Sequence, residues 1–222
     1  MSGPILYTAE NEYPVEHRGQ FLQWYAYRHA PDIYQVGFHS CASYRAIEGG
    51  LNILGIYEIP GPELFDSPGY RAIQPHDPYR AAMAARTTER AHTVYAQRQL
   101  HPVETRDDMP ALNADWLSMI RFAASEATEA EILRWFPTGA GAGLVEQGAR
   151  RFRIAHRSAE RPGSVTSRPR CLIVGEWPDR PPPGAEAWRD LTAHFGDALG
   201  EIDYYTGYRI YPWPDKPQGV PA

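Results

Sequence analysis

Apolar residues recur along this chain with two periods, and the change from one to the other marks out strands and helices. Pro4–Glu10 is short, apolar and bounded by turn residues, and reads as a strand. From Pro14 to Tyr34 the spacing becomes helical, with Phe21, Trp24, Tyr25 and the stem of Arg28 on one side and Pro31 near the end. Gly37–Ile47 and Leu51–Ile59 are strands. Between them Glu48-Gly49-Gly50-Leu51 predicts a two-residue hairpin, because glycines accept the positive φ of a primed turn. Pro60-Gly61-Pro62 breaks the second strand, Glu63–Ile73 and Asp77–Arg90 are helical, and His92–Glu104 is a strand.

The same order returns afterwards. Trp116–Ala123 is a strand, and Thr128–Phe136 is a helix opened by a Thr128/Glu131 capping box. Arg150–Arg157 and Arg170–Trp177 are strands joined by a polar loop through Arg161-Pro162-Gly163. Ala185–Leu199 is a helix, Ile202–Trp213 a Tyr-rich strand, and Pro214–Ala222 a tail. An ungapped offset of 111 residues lays Phe21–Tyr25 on Ile132–Phe136, Ile33 on Leu144 and Gly37 on Gly148. After allowance for the longer second hairpin, Ile53–Glu58 falls on Cys171–Glu176. The expectation is an α+β fold of two tandem ferredoxin-like βαββαβ repeats, residues 1–110 and 111–222. Their bare sheet faces would pack together as an α/β barrel around a lumen.

Composition narrows the partners. The net charge of −5, with no basic stripe, gives no reason to expect nucleic acid. No apolar run approaches the ~18 residues needed to span a bilayer, and Met1–Tyr7 lacks the features of a signal peptide, so a cytoplasmic location is expected. Cys41 and Cys171 lie in apolar strands; a disulfide is open, and buried free thiols fit a reducing compartment better. Neither belongs to a zinc-type cluster. No phosphate-loop, dinucleotide, flavin or metal signature is present, so no cofactor is expected.

The segment Trp24-Tyr25-Ala26-Tyr27-Arg28-His29-Ala30-Pro31, then Val36-Gly37-Phe38 and Tyr44-Arg45, resembles the dimeric α/β-barrel superfamily, in particular its EthD-like small enzymes. Leu54–Glu58 and Ser67-Pro68-Gly69-Tyr70 extend the likeness, which covers about residues 4 to 105. Where many relatives carry an Arg just before the strand Tyr, this chain has Ala42-Ser43-Tyr44. The resemblance implies the barrel. It leaves the reaction among cofactor-free isomerases, cyclases, lyases and monooxygenases, haem enzymes and non-catalytic proteins.

His29 is the first candidate for chemistry. An imidazole serves as general acid or base near neutral pH, and it can equally cap a helix end. Under the repeat its counterpart is Ala140, so one functional pocket in the first half is expected. With the two-residue turn, Tyr44 faces Gly55 and Ala42 faces Tyr57. Phe38, Ser40, Tyr44, Ile53 and Tyr57 then share the lumen face, and Cys41, Ile47, Leu54 and Ile56 the helix face. Tyr44 and Tyr57 would orient substrate or donate to an oxyanion, or simply fill the barrel. Gly175, the counterpart of Tyr57, would leave the second half-lumen more open. Tyr95, Gln97, Gln99 and His101 share one face of the fourth strand and suit a wet lumen, and Trp24 and Phe38 complete the expected substrate contacts. His39 and Arg45 fall on the opposite parity, where surface or inter-repeat contacts are expected, and His76-Asp77 is a His–carboxylate pair or a helix start.

The expected activity is lyase, isomerase or cyclase chemistry on a hydrophobic, aromatic small molecule. His29, Tyr57 and Tyr44 would be the catalytic residues, with no metal. A cofactor-free monooxygenase and a non-catalytic binding protein are the alternatives, and a homodimer of such pseudo-dimers is conceivable.

Overall fold

The computed structural model describes residues 5–101, 112, 114–159 and 168–212, the side chains of 74–76 and 159 excepted. The Arg161-Pro162-Gly163 loop, the tail Pro214–Ala222 and the strand end beyond His101 lie outside the described residues. So does the His76 side chain, and with it the His76-Asp77 pair.

The first half runs β1 (Ile5–Glu12), α1 (Val15–Trp24), α2 (Ala30–Gln35), β2 (Ser40–Glu48), β3 (Ile53–Ile59), α3 (Pro68–His76), α4 (Arg80–Ala85) and β4 (Glu89–His101). The second runs β5 (Trp116–Ala123), α5 (Glu126–Trp135), α6 (Ala140–Glu146), β6 (Arg151–Ala159), β7 (Cys171–Trp177), α7 (Gly184–Ala187), α8 (Arg189–Phe195) and β8 (Gly200–Tyr211). The α5 cap is Ser125, which accepts from the Thr128 amide at 3.1 Å, so the helix begins two residues ahead of the capping box read from sequence.

All strand pairs are antiparallel, and the sheet closes in the order β1-β3-β2-β8-β5-β7-β6-β4. Each half contributes a run of the same order, β4-β1-β3-β2 and β8-β5-β7-β6, and the runs meet at β2–β8 and β4–β6. Arg45 crosses the first seam to the Tyr208 hydroxyl at 3.2 Å, and His39 is exposed. Positions matched by the 111-residue offset occupy matching places. Trp24 and Trp135 close α1 and α5, while Gly37 (φ 102°) and Gly148 (φ 106°) each precede the half's second strand.

The barrel interior is filled. One buried cluster takes side chains from all eight strands, among them Leu6, Tyr44, Leu54, Tyr95, Leu117, Ala155, Val174 and Tyr205, which only an enclosed interior permits. Two charge networks share that space. Arg121 pairs with Glu10, which Arg168 also holds at 2.9 Å. Arg153 bridges Glu58 at 2.6 Å and Glu176 at 2.7 Å and reaches the Gln97 carbonyl oxygen at 3.3 Å. Buried charges are tolerable when paired in this way. Burial alone would raise the Glu10 carboxyl, but Arg121 and Arg168 more than offset it and hold the group below its usual range.

The hairpin register differs from the sequence expectation by one residue. Ser43 pairs with Gly55, Tyr44 with Leu54 and Cys41 with Tyr57. A slip of one moves every side chain to the other face. Tyr44, Leu54 and Ile56 therefore point into the barrel, whereas Tyr57, Ile53 and Cys41 point out toward the helices. The physical cause is Asn52, whose side chain bonds Glu12 and both backbone groups of Tyr13, and whose carbonyl receives the Ala46 amide at 3.0 Å. That anchoring opens the two-residue turn into a wider loop.

Candidate functional site

A cavity of about 500 Å³ lies outside the barrel, between the outer face of the first-half sheet and its helices. A lumen site was expected; the lumen is occupied by the networks above, and space is left where sheet and helix layers do not touch. The floor comes from β1, β3 and β4, with Tyr7, Asn11, Gly55, Tyr57 and His92. The roof is Phe21, Trp24, Tyr25, His29 and Ile33. Phe38, Tyr70, Arg80, Thr87 and Arg90 also line it, Tyr70 stacking on Phe38 at 6.0 Å.

The roof has a widened turn. Tyr25–His29 is π-helical, with the Ala30 amide bonding five residues back to the Tyr25 carbonyl. Pro31 supplies the reason, since its ring has no N–H and would clash with the carbonyl four residues earlier. Pro31 thus widens the helix where sequence reading had it end, and α2 continues to Gln35. The His29 ring lies flat on Trp24, with centroids 4.6 Å apart, and tilts against Tyr25 at 5.5 Å. Trp24 is itself fixed by donation from Nε1 to the Asp77 carboxylate at 2.7 Å.

On the floor Tyr57 stacks on Tyr7 at 5.4 Å and meets the edge of Phe38 at 5.5 Å. Its ring folds over Gly55, where a Cβ would stand 2.5 Å from the Tyr57 hydroxyl. Tyr7 places its hydroxyl 3.3 Å from His92 Nδ1. Burial pushes the Tyr25 and Tyr57 phenols well above their ordinary range, so both are neutral hydrogen-bonding groups at physiological pH. Basic proton acceptance is left to the imidazoles.

Of the residues singled out from sequence, His29, Trp24, Phe38 and Tyr57 meet at this cavity. Tyr44 does not: it is fully buried in the barrel interior, donating to the Ala114 carbonyl at 2.8 Å. Tyr95 and Gln97 also face the interior, Tyr95 donating to the Pro169 carbonyl at 3.1 Å. A bulge between Gln97 and Gln99 reverses the alternation, so His101 leaves that face and packs on Phe136 and Phe152 of the second half. Burial lowers the His101 imidazole.

The space above Gly175 is not open either. Trp177 Nε1 would lie 2.9 Å and Phe152 3.1 Å from a Cβ there, and Trp188 is fully buried in the same layer. Ala140 is buried in α6. Sequence reading missed Tyr7, His92, Arg80 and Arg90. The available signal was alternation: with Tyr57 outward, its β1 partner Tyr7 is outward too, and so is His92, paired with Ala9.

No protein-family model matches the chain, and no curated protein matches it in sequence. Solved structures do resemble it. An anthrone oxidase-like protein superposes with a TM-score of 0.60 at 12% identity, over 94% of this chain and 91% of that one. A candidate monooxygenase from Lactobacillus acidophilus gives 0.57 at 8% identity over 93% of both chains. A haem-binding protein from Thermus thermophilus gives 0.55 at 10% identity, over 94% and 92%. Identities this low establish shared architecture and nothing about chemistry, as the three descriptions themselves illustrate. This chain is an α+β protein with an eight-stranded antiparallel closed barrel and helices packed outside it, and its overall fold is what these structures share. Among the described residues no helix is long and apolar enough to cross a membrane.

Proposed function

We propose that the chain is a cofactor-independent enzyme that removes a proton from a flat, hydrophobic aromatic substrate held between the first-half sheet and its helices. The carrying observation is the convergence of His29 and His92 on one aromatic-walled cavity of about 500 Å³. His29 is the general base, oriented by the Trp24 stack; Tyr57 and Tyr25 are neutral partners for the oxygen that gains charge. Two tandem ferredoxin-like units, dividing near residue 110, are part of this reading, with the site kept in the first. Proton removal leaves a delocalised anion. Reprotonation at another atom makes the enzyme an isomerase, and expulsion of a group makes it a lyase.

The descriptions of the neighbours favour a second outcome for the same anion, reaction with dioxygen. A methylene group flanked by two aromatic carbons, plus one dioxygen, would give the corresponding ketone and one water. The carbon loses both hydrogens and gains one oxygen atom, and the other oxygen atom is reduced to water. Anthrone is a direct probe. Its turnover with stoichiometric dioxygen uptake supports the oxygenase outcome, and rearrangement without uptake supports the lyase or isomerase. His29→Gln should lower kcat by about 10²–10⁴ with melting unchanged. An unchanged kcat with a lower melting temperature would make His29 structural. Binding of anthrone and other polycyclic ketones without turnover of any would make the chain a binding protein. A Soret band that rises with activity would move the chemistry to haem.

A further inference from the structure

Every described residue lining the cavity is neutral or basic. Arg80, Arg90, His29 and His92 border it and no Asp or Glu does, although the chain as a whole carries a net charge of −5. Arg80 comes from the start of α4 and lies over the Tyr70 ring, its guanidinium carbon 5.8 Å from the centroid. Its Nη1 is sealed from solvent and meets no acceptor among the described residues. The nearby carboxylate of Asp77 is committed elsewhere, to Trp24 Nε1 at 2.7 Å and the Tyr79 amide at 3.0 Å. Arg90, also in the lining, donates one nitrogen to the Ala84 carbonyl. Arg80 as a whole is half-buried; the fully buried Arg121 and Arg153 show the contrast, each matched to carboxylates.

A sealed guanidinium N–H without an acceptor is costly, and a planar fork suits a carboxylate or phenolate. We propose that Arg80 is a specificity-determining residue, and that the ligand of this cavity is an aromatic anion whose charged oxygen binds Arg80 while its ring lies between Tyr57 and Trp24. This rests on the aromatic-pocket reading above and adds the sign of the substrate's charge. Arg80 lies over Tyr70, which in turn stacks on Phe38, so an anion held there fixes the orientation of the ring system relative to His29.

The test is calorimetric titration of the purified chain at low salt with 2-naphthoate and with its neutral counterpart 2-naphthalenemethanol. A charged hydrogen bond of this kind is worth roughly 10- to 100-fold in affinity, so the native protein should prefer the naphthoate by at least about tenfold. Arg80→Gln should erase that preference and leave the alcohol's affinity unchanged. Arg80→Lys should retain part of it. Arg71→Gln, which removes an exposed guanidinium paired with Asp66, should leave it intact and so controls for net charge. Melting curves of each variant establish that the fold is kept. Equal affinity for the two ligands, or a preference that survives Arg80→Gln, overturns the inference and leaves the aromatic pocket standing. Binding of neither ligand overturns both.

Discussion

Gly55→Ala tests the placement of Tyr57 more directly than any change to Tyr57 itself. The new methyl would stand 2.5 Å from the Tyr57 hydroxyl and 2.9 Å from two ring carbons. To reach ordinary contact the hydroxyl must retreat by roughly 0.9 Å. Tyr7 stacks on one side of the ring and Phe38 meets it edge-on, so the free direction is into the cavity. Such overpacking costs about 1–3 kcal/mol, which for a chain of this size lowers Tm by roughly 2–12 °C. The displaced ring also takes ligand space, and affinity for 2-naphthoate should fall. Thermal melts of a double-mutant cycle isolate the contact. In a Tyr57→Ala background the cost of Gly55→Ala should vanish. In Tyr57→Phe, which removes the 2.5 Å contact and keeps those at 2.9 Å, it should shrink by part. Equal cost in all three backgrounds would mean that Tyr57 does not cover Gly55, and the outward face of β3 would be misassigned.

Two further outcomes follow from buried polar groups. Arg153→Met should cost about 3–5 kcal/mol by chemical denaturation, because it strands Glu58 inside the barrel and leaves Glu176 with Arg151; adding Glu58→Gln should recover part of the loss, and a cost under about 1 kcal/mol would refute the buried bridge. Burial pushes the Cys41 and Cys171 thiols up to about 12, so neither should react with a disulfide reagent at pH 8 until the chain is unfolded, when two thiols appear. The unfolded thiols ionise near 9 and the folded ones do not, so native stability should fall as pH rises from about 9 toward 12, less steeply in Cys41→Ala; rapid labelling of the folded chain at pH 8 would contradict this.

Much of the element order could be read from local pattern, since turn residues and a change of hydrophobic period are written in consecutive residues. What local pattern misplaced was decided by distant contacts. Gly49 and Gly50 do adopt positive φ, as the hairpin reading required. They are also where β8 presses in: a Cβ on Gly49 would clash with the Tyr204 carbonyl oxygen. The pairing was set by Asn52 gripping Glu12 and Tyr13, about 40 residues away in sequence, and the slip turned Tyr57 outward while Tyr44 stayed inside. In β4 an unheralded bulge separated His101 from Tyr95 and Gln97. The filled lumen did leave a trace. Glu10, Glu58, Arg121, Arg153 and Glu176 are single charges inside apolar strands, a pattern that fits partners across an interior. Of the site, the helix-borne Trp24 and His29 were legible because one segment carries both. Tyr7, His92 and Arg80 were not, because they join it only through the strand ladder and the α3–α4 turn.

Glu10 and Arg121 stand 111 residues apart, on the first strand of each half, and face each other inside the barrel. A barrel assembled from two identical chains would set glutamate against glutamate there, or arginine against arginine, in a space closed to water. Opposite charges at corresponding places make each half the other's complement and a poor match for itself. The linkage between the halves is therefore more than a tether. With both members of the pair in one chain the core is handed, lock on one side and key on the other, and the two helix layers differ as well, Trp188 filling one while the other holds a cavity.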